Sequence, residues 1–264
     1  MYKLKTPQGS HSISAILFDK DGTLLQFVSL WGFWGDCLLN QFTENLEQRG
    51  ITIQVEHFPA WLGTVHNRQG NIIDYDRNGP LAMGTMEDLY AILSWQCYRL
   101  GLSWAESMEL VHRCNHNAEA MMEERQPALP LPGLLSFLDE CKSHGVPLAV
   151  VTADETSAAE KHLGWLGIRQ YFSEVIGTDQ VTHGKPFPDM VELACQTLTV
   201  DPSQVAVIGD TNGDMRMAKA AHATVAIGIS ATPDANTALS ILPDADIIIQ
   251  SYADLRIEGL THED

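Results

Sequence analysis

The feature that most constrains this chain is a set of short, almost unbroken apolar runs rich in β-branched residues. They lie at 13–18 (ISAILF), 146–151 (VPLAVV), 204–208 (QVAVI), 223–229 (ATVAIGI) and 245–249 (ADIII). Runs this short and continuous read as strands covered on both faces. Helix-periodic stretches separate them, at 133–144 with Gly145 as its C-cap, at 156–166 and at 188–198. Such alternation predicts an α/β fold, a parallel sheet with helices on both faces.

Between the first and second runs the pattern changes. Residues 27–129 hold few strand-like runs and several long amphipathic ones. The spacing predicts helices over 30–48 and 86–100. A third opens at Ser103, where Glu106 three residues on completes a capping-box signature. That helix ends before Pro127, and QPALPLPG (126–133) reads as a stiff, non-helical linker. The chain is therefore expected to divide into an α/β core, residues 1–26 and 130–264, and a helical insert, residues 27–129. Trp31, Trp34, Trp61, Trp95 and Trp104 lie in or beside the insert, and most are expected to pack its small core.

Composition narrows the function. With 45% hydrophobic and 19% charged residues the chain can bury a sizeable core. Lys and Arg number 16 against 34 Asp and Glu, a formal net charge of -18, which argues against nucleic-acid binding. An anionic small substrate would need a local cation. The five cysteines, at 37, 97, 114, 141 and 195, show no CxxC spacing, so neither a disulfide framework nor a zinc site is indicated. No apolar run approaches 18 residues and the first residues lack an apolar signal core. A soluble protein of the reducing cytoplasm, without membrane contact, is expected.

Polar residues cluster where the apolar runs end. Asp19-Lys20-Asp21-Gly22-Thr23 follows the first run and Thr152 the second. Lys185 stands in the loop HGKPFPD, and Asp210-Thr211-Asn212-Gly213-Asp214 follows the third run. The carboxyl edge of an open parallel sheet is its ligand crevice, so these four segments are expected to meet there. Four carboxylates at close range raise one another's pKa or share a cation. Oxygen ligands favour a hard cation, and magnesium suits a shell shared with phosphate. Lys185 and Thr152 add a positive charge and a hydroxyl suited to phosphoryl oxygens. Of Asp19 and Asp21, one carboxylate could attack phosphorus while the other handles protons. Calcium-loop readings fail, because the sixth position is Leu24 counted from Asp19 and Met215 counted from Asp210.

Four of these segments, in this order, resemble the motifs of the haloacid dehalogenase-like hydrolase superfamily. FDKDGTL resembles its first motif, VVTAD the second, GKPFPD the segment around the motif lysine, and VAVIGDTNGDMRMAKAA the last. The resemblance is to the phosphoglycolate phosphatase-like branch, and implies a Rossmann-like parallel core with an α-helical cap inserted after the first strand. It further implies a Mg2+-dependent phosphatase acting on a small phosphorylated metabolite. Asp19 would be the nucleophile and Asp21 the general acid and base, while Thr152 and Lys185 would hold the phosphoryl group. The Asp19 carboxylate, the Asp21 backbone carbonyl and Asp210 would bind the metal, and Asp214 would complete or support that shell. Lys20 is expected to be peripheral, offering mainly its backbone N–H. His222 departs from the glycine common in relatives, which raises only a local packing question.

The cap matches the family in position and length alone. It is expected to close over the crevice on hinges near 26–29 and 126–132. Arg68, in the polar loop-like stretch 66–69, and Arg113, four residues before Asn117 on one helix face, are the candidate contacts for a second anionic group on the substrate. Solvated surface is the competing reading for both. Two rival functions share the motifs: a phosphomutase such as a beta-phosphoglucomutase-like protein, and a non-catalytic ligand-binding protein.

Overall fold

In the computed structural model, which describes residues 1–232 and 234–259, the chain opens with an antiparallel hairpin. Its strands are Tyr2–Thr6 (β1) and Gly9–Ile13 (β2). Ala15–Phe18 (β3) follows, buried at every position. The expected strand at 13–18 is thus two strands parted at Ser14, whose backbone N–H turns to the Gln204 carbonyl at 2.6 Å. Residues 260–264, included in the expected core, lie outside the described residues.

Phe27–Pro127 forms a unit of its own. Its elements are Phe33–Glu47 (α1), Phe58–Leu62 (α2), Thr64–His66 (β4), Ile72–Tyr75 (β5), Pro80–Met83 (α3), Met86–Arg99 (α4) and Trp104–Arg125 (α5). Both α1 and α4 pack along α5. Full capping boxes open α4, from Thr85 and Asp88, and α5, from Ser103 and Glu106. Trp34 is buried, and its indole N–H donates to Asn115 Oδ1 at 3.0 Å. Trp31 packs against Trp34, and Trp61 against Phe42 and Phe58, so most of the insert's tryptophans follow the expectation and two depart from it. Trp31 and Trp61 are half-buried, while Trp95 and Trp104 stand 52% and 47% exposed. On α4 the inward stripe is Leu89, Leu93 and Cys97, and Trp95 falls between its members on the far side. Of the stretch expected as a loop at 66–69, His66 ends β4 and 67–69 belong to the turn of the β4–β5 hairpin. Asn67 Oδ1 organises it by accepting the Gln69 and Asn71 N–H groups.

The second unit joins Met1–Gln26 to the chain from Ala128 onward. After the linker come Leu134–His144 (α6), Leu148–Val151 (β6), Thr156–Trp165 (α7), Glu174–Ile176 (β7), Asp189–Leu198 (α8), Val205–Gly209 (β8) and Asn212–Ala220 (α9). Val225–Ile229 (β9), Ala235–Ile241 (α10), Ile247–Ile249 (β10) and Arg256–Gly259 (β11) complete it. Six strands form one parallel sheet in the order β10-β9-β8-β3-β6-β7, and a second sheet has the order β11-β1-β2. The chain places β6 and β7 on one side of β3, then crosses to place β8 on the other. The order therefore reverses at β3, and the crevice of such a sheet lies at the carboxyl ends beside that reversal.

Two cores sandwich the sheet. Ile16, Phe18 and Val150 face one, while Ala15, Leu17 and Val151 face the other. Neighbouring residues on each strand thus alternate between two apolar layers, which accounts for the continuous apolar runs. Gly145 caps α6 in the left-handed region, as expected. His222, just past α9, has φ +58°, a conformation that favours glycine, so its departure from the family residue is one of backbone strain.

Phe18 is ringed by Phe137, Phe172 and Tyr252, with ring centroids 5.9–6.4 Å away. The buried Tyr252 hydroxyl also donates to the Thr23 carbonyl at 3.0 Å, tying this core to the loop after β3. Tyr252→Phe strands that carbonyl away from water. It should lower the free energy of unfolding by about 1–2 kcal/mol. Urea unfolding should show an earlier midpoint with an unchanged slope.

Candidate active site

The carboxyl ends of β3 and β8 bring three of the expected acids together. Asp19 ends β3, with its N–H bonded to the Ile208 carbonyl of β8 at 2.8 Å. Asp210 follows β8, and Asp214 lies in the first turn of α9. Carboxylate oxygens of Asp19, Asp210 and Asp214 all lie within 4.8 Å of one another. Lys185 inserts its ammonium among them, 2.5 Å from Asp19 Oδ1 and 2.6 Å from Asp214 Oδ1. The other Asp214 oxygen accepts from the Thr211 N–H at 3.0 Å and hydroxyl at 2.6 Å, closing the capping box of α9. Asp214 is thereby fixed by its own helix and aims Lys185 at Asp19.

Two glycines make this crowding possible. Gly22 has φ +82°, and a Cβ there would fall 2.1 Å from Asp210 Oδ2. A Cβ on Gly209 would fall 2.4 Å from Asp214 Cβ. Any side chain at either place would force apart the carboxylates that form the site.

Burial and neighbouring charge leave their mark on the acids. Burial raises the Asp19 carboxyl to about 6; Lys185 opposes this shift, while Asp214 and Asp21 add to it. Asp210 is pushed well above the ordinary carboxyl range, by burial first and then by the charges of Asp19 and Asp214. Burial alone would lower Lys185, but Asp19 and Asp214 outweigh it and hold the ammonium charged.

Thr152 follows β6, is buried, and accepts the Asp154 N–H on its Oγ1 at 3.1 Å. Its own hydroxyl proton remains to donate. The Asp21 carboxylate is not part of the three-acid cluster. Both its oxygens lie 2.7 Å from the Lys20 ammonium.

Lys20 corrects the sequence reading. It is not peripheral: its exposure is 0%. Besides Asp21 its Nζ lies 3.3 Å from Asp154 Oδ2 and 3.2 Å from His162 Nδ1. Asp154 and His162 were not singled out from the sequence. The available signal was a lysine set between two acids at the end of a fully buried strand, where a long cation has to find partners.

The two arginines lie in the helical unit. Arg68 is exposed at the turn of the β4–β5 hairpin. Arg113 is exposed on α5 and donates to Asn45 Oδ1 of α1 at 2.9 Å, and Asn117 donates to Gln41 Oε1 at 3.0 Å. The shared face of Arg113 and Asn117 thus fastens α5 to α1.

Residues 13–222, well over half the chain, match the haloacid dehalogenase-like hydrolase family. The chain belongs to that family. Among curated relatives, Probable phosphatase IndB of Dickeya dadantii (strain 3937) is 39% identical over 104 residues, 39% of this chain and 45% of that protein. Phosphoglycolate phosphatase of Escherichia coli (strain K12) is 34% identical over 134 residues, covering 50% and 52% of the two chains. The chain thus spans about half the length of the curated relatives it matches. A crystal structure described as a predicted phosphoglycolate phosphatase from Haemophilus somnus 129pt has a TM-score of 0.64 at 20% identity. The match covers 92% of this chain and 96% of that one, which establishes the haloacid dehalogenase-like fold. Among the described residues, no helix is long and apolar enough to cross a membrane.

The raised Asp19 carboxyl makes the stability of this haloacid dehalogenase-like core depend on pH. Its folded value of about 6 exceeds the ordinary aspartate value of about 3.9. The folded state therefore binds this proton more tightly than the unfolded chain does. That contribution is present in full below the unfolded value and is lost as pH rises through about 6. Asp19→Asn carries no titrating charge. In chelator, its Tm relative to wild type should move upward as pH is taken from about 4 to about 7.5. A difference independent of pH would remove the raised carboxyl from the account.

Proposed function

We propose that the chain is a Mg2+-dependent phosphatase that hydrolyses a small phosphorylated metabolite through an aspartyl-phosphate on Asp19. The observation that carries this reading is the contact of Lys185 with both Asp19 and Asp214 inside a three-carboxylate cluster at the sheet's reversal point. A nucleophile, a fixed cation and a set of hard oxygen donors are what phosphoryl transfer requires.

The donors fit magnesium. They are all oxygen, and the charges of Asp19 and Asp214, which add to burial in raising the Asp210 carboxyl, are a concentration of negative charge that a divalent cation would relieve. Asp19 and Asp210 would hold the ion with the Asp21 backbone carbonyl, and Asp214 would support them. Bound there, Mg2+ would neutralise charge on the phosphoryl oxygens.

In the first step an Asp19 oxygen attacks phosphorus, and the bond from phosphorus to the leaving oxygen breaks. Asp21 gives that oxygen its proton, releasing an alcohol. In the second step the Asp21 carboxylate takes a proton from water. The water oxygen bonds to phosphorus, and the bond to Asp19 breaks, restoring the Asp19 carboxylate and the Asp21 proton over the cycle and releasing phosphate. Lys185 and the Thr152 hydroxyl hold the phosphoryl oxygens in both steps.

These groups touch only the phosphoryl half of a substrate, so we assign choice among esters to the helical unit, with Arg68 and Arg113 as the contacts for a second anionic group. The net charge of -18 supports a role without nucleic acid, and five free, buried cysteines suit the cytoplasm.

Asp19→Asn should keep its circular dichroism and lose at least about 1000-fold in kcat, because an amide cannot attack in place of the carboxylate. EDTA should silence the wild type, and Mg2+ but not Ca2+ should restore it. Phosphate release without an added sugar bisphosphate separates hydrolysis from a phosphomutase. A folded Asp19→Asn protein with wild-type turnover, or full activity in chelator, would overturn the mechanism. Arg68→Ala should raise KM for the preferred substrate, found by screening phosphorylated metabolites, and leave p-nitrophenyl phosphate hydrolysis unchanged. Arg113→Ala should do the same, with an added loss of stability from the Asn45 contact. Equal effects on both esters would remove either arginine from specificity.

A further inference from the structure

The mechanism above uses one buried lysine, and the structure contains a second. Lys20 lies between the proposed nucleophile and the proposed acid in sequence, yet its side chain runs into a buried pocket of charge. A lysine ammonium is compact and strongly hydrated, and taking it from water costs several kcal/mol unless its protons meet good acceptors. Here it meets hydrogen-bond partners in the Asp21 carboxylate of the loop after β3 and in His162 Nδ1 of α7, and an ion-pair partner in Asp154 of the loop after β6, 3.3 Å away. His162 is itself buried, and its Nδ1 lies 3.5 Å from Asp154 Oδ2.

Asp154 and His162 lie against the ammonium, which also meets both oxygens of Asp21. Asp154 is further fixed by its own N–H bond to the Thr152 hydroxyl oxygen, which joins this network to a phosphoryl-holding group. A carboxylate that must hand over a proton along one line has two free torsions. Proton transfer falls off steeply when those torsions wander.

We propose that Lys20 is a positioning residue for Asp21: anchored by Asp154 and His162, it fixes the orientation in which the Asp21 carboxyl reaches the leaving oxygen. The proposal rests on the phosphatase reading, in which Asp21 serves as acid and base. It assigns to Asp154 and His162 a purpose that the two-step mechanism leaves open. It also explains why a residue needed there only for its backbone N–H is a lysine with no exposed surface.

Leaving-group dependence distinguishes this from a merely structural ion pair. An alkyl ester such as glycerol 2-phosphate needs a proton on its departing alkoxide, whereas p-nitrophenolate leaves without one. The ratio kcat/KM reports only the steps up to release of the alcohol, so the later attack of water does not obscure it. Lys20→Met should lower kcat/KM for glycerol 2-phosphate by about 30–100-fold, and for p-nitrophenyl phosphate by less than about 3-fold. Asp154→Asn and His162→Gln keep Lys20 but loosen its anchor. They should show the same asymmetry at about 3–10-fold, and they carry the test where Lys20→Met does not fold. Equal losses on both esters in folded variants, or no loss on either, would overturn the positioning role. A wild-type protein that hydrolyses neither ester in Mg2+ would instead overturn the phosphatase reading, and this proposal with it.

Discussion

The contact of Lys185 with Asp19 and Asp214 is the interaction on which the rest of the site depends. Three carboxylates whose oxygens lie within 4.8 Å of one another would repel strongly in a region short of water. A single ammonium between them offsets part of that repulsion. Burial first, and the uncompensated repulsion after it, raise the carboxyls of Asp19 and Asp210. Such an arrangement is held by the fold rather than by its own attraction, and the surrounding structure bears this out. Asp214 is locked by the α9 capping box, Asp19 by the β3–β8 ladder, and the approach of Asp210 by the missing side chain of Gly22.

The sheet order supplies what no local contact could. Asp19, Thr152 and Asp210 are far apart in sequence, and each stands just past the end of a strand buried on both faces. Parallel neighbours in register carry their carboxyl ends to one edge, so placing a strand also places its terminal polar residue. This is why so much of the core and its site could be read from sequence. The short apolar runs, the Ser103 capping box and the Gly145 cap all report physics contained within a few residues. Elements that depend on distant partners were not legible. β7 has three residues, too few to show a period. β1 and β11 are residues far apart in sequence that pair only in the fold. Exposure of Trp95 depends on which stripe of α4 meets α5, and composition is silent on that.

The same distinction separates the two lysines. Lys185 was readable because its loop resembles a known motif. Lys20 was misread because the resemblance concerns its backbone, while its side chain answers to Asp154 and His162, more than 130 positions away. Burial would lower the Lys20 pKa, but Asp21 and then Asp154 outweigh it, and the net direction is upward. Asp154 moves the opposite way: burial would raise it, and the neighbouring His162 and the charge of Lys20 bring it below the ordinary range. Each partner thus stabilises the charged form of the other, which is the signature of an ion pair held by its surroundings.

On the proposed phosphatase reading, an acidic protein and a phosphorylated anion face an electrostatic difficulty at long range. The formal charge of -18 works against approach, but charges farther away than about 8 Å are largely screened at physiological salt. What decides binding is therefore the field inside the last few ångströms. There Lys185 is desolvated and held charged by two carboxylates, one of which is the proposed nucleophile. A phosphoryl group entering the crevice would compete with Asp19 for that ammonium, and in doing so would free the attacking oxygen. Binding and activation of the nucleophile are then a single exchange of partners, and the overall acidity of the surface is left to serve solubility.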